Sequence, residues 1–286
     1  MRFYTPLRYP GGKGKLSYYI KSLLEANLIT DGYYVEPYAG GAAIALDLVV
    51  NEYVRNIIIN DADPAVYSFW HSVMHETDAL CTMIEECNVT MDTWYEQKEV
   101  ISSDNPENSL ALGFAAFFLN RTNRSGILKA GVIGGKAQSG EWKMDVRFKK
   151  DDLISRINKI SGYKNRIKVT NLDAIELLLN IKNLTSGSDK LLVYLDPPYY
   201  VKGQDLYRNY YEHKDHVAVK NALSESGINN WLVSYDNAEE IKEIYSAFRQ
   251  SEYSLSYTAQ SKRVGKEVMI FSDSLIIPDV NLGKAA

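Results

Sequence analysis

The stretch YYVEPYAGGAAIALDLVVNEYVRNIIIND, residues 33–61, decides the fold. Tyr33–Pro37 reads as a strand and Gly40 and Gly41 as a turn. Ala42–Val50 reads as an apolar helix and Asn56–Asn60 as a buried strand. Asp63 then opens another helix. Short apolar strands alternating with helices predict a parallel sheet covered by helices.

The same alternation continues outward. A helical pattern runs from Lys13 to Leu28. From Arg166 the sequence RIKVTNLDAIELLL resumes it, followed by the strand Leu191–Leu195 and a helix near His213–Ser226. The strand Trp231–Tyr235, a helix near Ala238–Phe248 and strand candidates at Tyr253–Tyr257 and Val268–Phe271 complete the chain. The predicted class is α/β, a doubly wound domain assembled from residues 1–61 and 166–286. Residues 62–165 read as an insertion. It is helical from about His71 to Leu119, with breaks near Asn88 and Asp104–Pro106. Gly126–Phe148 holds five glycines among Val, Ile, Trp and Phe, which suits a β-hairpin or long loop.

Composition excludes several classes. Hydrophobic residues make up 45% and charged residues 24% of 286, as in globular domains rather than disordered or fibrous chains. Two cysteines, Cys81 and Cys87, are too few for a disulfide framework and read as reduced thiols. The longest apolar run, Leu110–Leu119, falls short of the roughly 20 residues of a membrane span. No signal-peptide core opens the chain, so a cytoplasmic protein is expected. His71 with His75 and His213 with His216 have ligand-like spacing but no convincing third ligand, so no metal is expected.

Net charge is −4, but it is unevenly placed. The 49 residues from Asn120 to Lys168 hold 13 Lys and Arg against 4 Asp and Glu. Such a segment suits either a phosphate-binding surface or an ordinary solvated face.

The sharpest motif is Asp196-Pro197-Pro198-Tyr199, directly after the strand LLVYL. In an open α/β sheet, ligands bind beyond the carboxyl ends of the strands. The prolines stiffen the loop and leave carbonyl acceptors; Asp196 adds a carboxylate and Tyr199 a flat ring. That set suits a planar group bearing an amine. Glu36-Pro37-Tyr38-Ala39-Gly40 forms the turn after the first strand, where glycine permits close approach of a cofactor. Asp61 follows Gly40 by 21 residues, where an acid can accept from ribose hydroxyls or cap a helix. The N-terminal PGGKGKL is not a phosphate-binding P-loop, because Leu16 stands where Ser or Thr is required.

The order YPGGK, EPYAGGA, IIIND, LNRTNRSGI, LDPPY resembles the Dam-type, or D12-class, DNA adenine N6-methyltransferases, from about Leu7 to Phe271. The resemblance implies a Rossmann-like methyltransferase fold, S-adenosyl-L-methionine as cofactor, and double-stranded DNA as partner. It implies cofactor contacts from Tyr9, Lys13, Glu36, Pro37, Tyr38, Ala39, Gly40, Asp61, Asp173 and Asp196. It makes Asp196, Pro197, Pro198 and Tyr199 the catalytic tetrapeptide acting on a flipped-out adenine. The basic insertion then contacts DNA, with Asn120, Arg121, Asn123, Arg124, Lys129, Lys136, Gln138, Lys143 and Arg147 as candidates. The recognition segment Asn120–Gly126 departs from the NR-x-G-x-NG form of GATC-specific members, so the resemblance supplies no recognition sequence. A monomer is the default, with a restriction endonuclease as a separate partner or none. Cytosine-N4 methylation and a catalytically silent DNA-binding relative are alternatives, and methylation of RNA or of a protein glutamine amide is a rival that the basic insertion and NRTNRSG argue against.

Overall fold

The computed structural model describes residues 4–8, 13–103, 109–201, 211–257 and 263–282. Five strands run parallel: β1 (Tyr33–Glu36), β2 (Asn56–Asn60), β3 (Ile167–Thr170), β4 (Leu191–Leu195) and β5 (Trp231–Asp236). Two more, β6 (Arg249–Tyr257) and β7 (Arg263–Phe271), pair antiparallel, and β7 lies antiparallel to β5. The sheet order is β3-β2-β1-β4-β5-β7-β6. The order reverses between β1 and β4, and sheets of this Rossmann-like kind bind ligands at the carboxyl ends beside such a reversal.

Both faces are covered, which explains why the strands carry near-continuous apolar runs. Tyr34, Ile57, Ile59, Leu192, Tyr194 and Leu232 point to one core, and Val35, Ile58, Val193, Leu195 and Val233 to the other. The second core is closed by α8 (Ala174–Leu184), α9 (His213–Glu225) and α10 (Glu239–Ile244). The first is closed by α1 (Ser17–Ala26), α2 (Ala43–Val50) and α3 (Pro64–His75). It runs on without a break into α4 (Thr77–Glu86), α5 (Met91–Ser102), α6 (Ser109–Thr122) and α7 (Lys150–Ser161). Phe69 stacks on Phe117 at 5.7 Å, and Phe117 meets Phe148 edge-on. The helices between β2 and β3 therefore share the core of the sheet.

Capping sets several helix starts. Asp63 accepts the Ala65 N–H at 3.0 Å with Pro64 in the first turn, and Thr90 accepts the Thr93 N–H.

Some boundaries differ from the sequence reading. The β6–β7 pair is longer than expected and α10 shorter, because the chain turns at Tyr245–Phe248 and pairing begins at Arg249. Gly126–Phe148 is a loop rather than a hairpin: its one ladder contact is the isolated bridge Asn123–Val132, beside 3-10 turns at Arg124–Gly126 and Met144–Arg147. Gly126, Gly134, Gly135 and Gln138 all have positive φ, which breaks strand extension. The Gln138 amide also bonds the Ile133 and Gly135 carbonyls and accepts from the Met144 N–H. The expected break at Asp104–Pro106 lies outside the described residues.

Candidate active site

Acidic side chains stand at the carboxyl edge of the sheet, among them Glu36 ending β1, Asp61 after β2, Asp196 after β4 and Asp236 ending β5. The turn after β1 carries Gly40 at φ 46° and Ala42 at φ 47° before entering α2. Its geometry is fixed from outside. The Gly40 N–H donates to Asp61 Oδ2 at 3.0 Å, and Trp70 Nε1 donates to the Gly40 carbonyl at 2.8 Å. Asp61 Oδ1 meanwhile accepts the Asp63 N–H at 2.9 Å.

Asn60 is fully buried, and no motif marks it. Its Nδ2 donates to the Pro37 and Leu172 carbonyls, and its Oδ1 accepts from the Leu172 N–H and the Thr170 hydroxyl. One side chain thus joins the loops after β1, β2 and β3. The available signal was a polar residue closing an otherwise apolar strand.

The tetrapeptide lies over β4. Pro197, Pro198 and Tyr199 are buried, while the Asp196 side chain is 24% exposed. Asp196 Oδ1 accepts from Ser234 Oγ at 2.7 Å, and Ser234 Oγ pairs with the Tyr194 hydroxyl at 2.8 Å. The Tyr200 and Val201 N–H groups both end on the Asp236 carboxylate, which holds the outgoing chain. Lys13 Nζ is buried 3.4 Å from Asp196 Oδ1, 3.0 Å from Glu267 Oε1 and 2.8 Å from the Tyr199 hydroxyl.

Burial dominates the electrostatics. It raises the Glu36 carboxyl to about 8, against opposing hydrogen bonds from Tyr34 and the Ala45 N–H. It raises Asp61 to about 7, against the Asp63 and Gly40 N–H groups. Asp196 is also pushed up by burial, and the neighbouring Lys13 ammonium pulls it back.

Residues 9–259 match the model of the D12 class N6 adenine-specific DNA methyltransferase family. The chain belongs to this family. A search of curated proteins finds no match. Among solved structures, the chain is similar to an rRNA methyltransferase, aviRa, from Streptomyces viridochromogenes. That likeness is 13% identical over 90% of this chain and 85% of the other, with a TM-score of 0.37. It is also similar to a conserved hypothetical protein from Streptococcus pyogenes, 11% identical over 86% and 88%, with a TM-score of 0.33.

The remaining predicted positions of this D12-family methyltransferase divide by exposure. Asp173 is exposed and caps α8 by accepting the Ile175 N–H at 2.9 Å. Tyr9 lies outside the described residues. Arg124, Lys129, Lys136 and Lys143 are exposed on the basic loop. Asn120, Asn123, Arg121 and Gln138 are turned to the backbone instead. Asn120 bonds the Arg8 N–H, the Arg8 carbonyl and the Gly126 carbonyl. Asn123 accepts from Trp94 Nε1 and donates to the Ile127 and Leu128 carbonyls. The Arg121 guanidinium donates to the Arg147 and Pro6 carbonyls, and its pKa falls to about 10 through burial and the nearby Arg8, Arg156 and Arg147. These side chains brace the loop through its backbone groups. Arg147 is half-buried, and its Nη1 has no hydrogen-bond partner.

Among the described residues, no three His, Cys, Asp or Glu side chains are grouped to hold a metal ion. No helix among them is long and apolar enough to cross a membrane.

Proposed function

We propose that this methyltransferase transfers a methyl group from S-adenosyl-L-methionine to N6 of an adenine in double-stranded DNA. The observation that carries the reading is the placement of Asp196-Pro197-Pro198-Tyr199 at the carboxyl end of β4, beside the Gly40 turn after β1, in a chain of the D12 class. The methyl donor would lie against the Glu36–Gly40 turn, with Asp61 and Glu36 as the acids facing its hydroxyl and amino groups. The donor set fits: two carboxyls that burial holds partly protonated become more favourable as anions beside a cation. Asp173 and Tyr38, which follow β3 and β1 on the same edge, would border the donor's adenine. The donor supplies a methyl group already activated by a sulfonium.

The acceptor nitrogen is a poor nucleophile, because its lone pair is delocalised into the ring. Asp196 and the Pro197 carbonyl accept its two hydrogens and favour a pyramidal nitrogen with a usable lone pair. Lys13 favours the ionised, accepting form of Asp196. Tyr199 lies against the base plane. Positioning for in-line transfer supplies much of the acceleration. A base in a duplex does not present N6 to such a pocket, so the adenine is flipped out. Residues 62–165 form the DNA-facing insertion, with Arg124, Lys129, Lys136 and Lys143 as its phosphate or base contacts.

Asp196→Ala tests the assignment with labelled donor and DNA. Loss of transfer with retained DNA binding supports it. Wild-type protein that binds DNA but transfers nothing favours the silent relative, and methylcytosine as product favours the N4 reading.

A further inference from the structure

The last strand pair supplies a buried carboxylate to the site that none of the motifs contains. Glu267 lies in β7, opposite Tyr253 of β6 and Asp236 of β5 in the ladder register. It is 2% exposed. Its Oε1 accepts from the Tyr199 hydroxyl at 2.8 Å and from Lys13 Nζ at 3.0 Å. Its Oε2 accepts from the Tyr253 hydroxyl. Lys13 also reaches the Tyr199 hydroxyl at 2.8 Å, stands 5.0 Å from the centre of that ring, and lies 3.4 Å from Asp196 Oδ1.

The chain spends a large desolvation cost to place Glu267 here, since a buried ion pair returns little net stability compared with apolar packing. The expenditure is explained by geometry. Pro197 and Pro198 give no backbone N–H before Tyr199, and the chain after it is held by the Tyr200 and Val201 N–H groups on Asp236. Those bonds hold the backbone; the hydroxyl holds the far end of the ring, and two of its partners are an anion on β7 and a cation from the N-terminal segment. The same cation is what faces Asp196. A single carboxylate thus sets the ring and, through Lys13, the acceptor.

We propose that Glu267 is a positioning residue for methyl transfer, holding Lys13 and the Tyr199 hydroxyl so that ring and Asp196 carboxylate keep one relative placement. This rests on the adenine-N6 reading of the site. The role predicts a selective defect: turnover falls while binding of methyl donor and DNA persists.

The test compares wild type with Glu267→Gln, Tyr253→Phe and Tyr199→Phe, using S-adenosyl-L-methionine and unmethylated duplex DNA. Glu267→Gln keeps the shape and removes the charge; Tyr253→Phe loosens the carboxylate while leaving its contacts to Lys13 and Tyr199. Kcat is expected to fall about tenfold to a hundredfold in Glu267→Gln, as a displacement of about an ångström does, with both KM values within about threefold. Tyr199→Phe should show the same split, and the double variant should be no worse than the poorer single one, because both changes break one linkage. If Glu267→Gln does not fold, Tyr253→Phe carries the test, and a smaller fall in kcat at unchanged KM is expected from it. Folded variants with wild-type kcat overturn the proposal, and so does a loss that follows donor binding or an additive double variant. A wild-type protein that methylates no adenine overturns the underlying reading itself, which the variant comparison reveals as a separate outcome.

Discussion

The side-chain amide of Asn60 pairs with both backbone groups of Leu172, 112 residues away, accepting its N–H and donating to its carbonyl at 2.9 Å each. The same amide donates to the Pro37 carbonyl. The loops that follow three neighbouring strands therefore share one buried connector.

Replacing Asn60 by Ala leaves the Leu172 and Pro37 groups without partners in a buried place. The expected loss of stability is on the order of 3 kcal/mol, since each unsatisfied buried group costs about 1–3 kcal/mol and neighbouring costs do not add fully. Urea unfolding measures it. A change below about 0.5 kcal/mol, the range of neutral surface substitutions, would contradict the connector role.

Stability should also fall with rising pH in the absence of ligand. Glu36 and Asp61 have folded-state values near 8 and 7, above the ordinary carboxyl range near 4. Between those limits the folded chain keeps protons that the unfolded chain has lost. Their contribution is thus fully present below about pH 4 and disappears as pH rises through about 7 and 8. Thermal melting at pH 5.5 and pH 8.5 should show the decline, and Glu36→Gln should flatten part of it. A slope identical in wild type and Glu36→Gln would show that Glu36 is not one of its sources.

Much of this fold was legible in the sequence, for a physical reason. Strands such as Leu191–Leu195 are buried on both faces, so each carries an uninterrupted apolar run bounded by turns. The tetrapeptide and the Gly40 turn could be placed because strand ends are where such sheets bind ligands. Asn60, Glu267 and Asp236 carry little local signal, because their partners lie far away in sequence and spacing bears no trace of a contact across 254 residues such as Lys13 with Glu267. Asn123 and Gln138 carry contacts that composition does not show. A polar residue in a basic loop has the composition of a base reader, but loops without ladder pairing must satisfy their own carbonyls, and these amides do that.

The exposed cations and the bracing amides should separate in solution. Lys129→Gln, Lys136→Gln and Lys143→Gln are each expected to weaken DNA binding across all sequences and to reduce the salt slope by about one where the residue contacts a phosphate. Asn123→Ala should instead lower the melting temperature, because it strips Trp94 Nε1 and two loop carbonyls of their partner. Binding isotherms at several salt concentrations, with melting curves alongside, measure both. Unchanged salt slopes in all three lysine variants would remove the loop from the DNA interface.

The central claim is tested most directly by product analysis. Unmethylated duplex DNA is incubated with the protein and S-adenosyl-L-methionine, digested to nucleosides and examined by mass spectrometry. The account predicts N6-methyladenine, absent when Asp196→Ala replaces the wild type. N4-methylcytosine, or no methylated base from protein that binds the methyl donor, would contradict it.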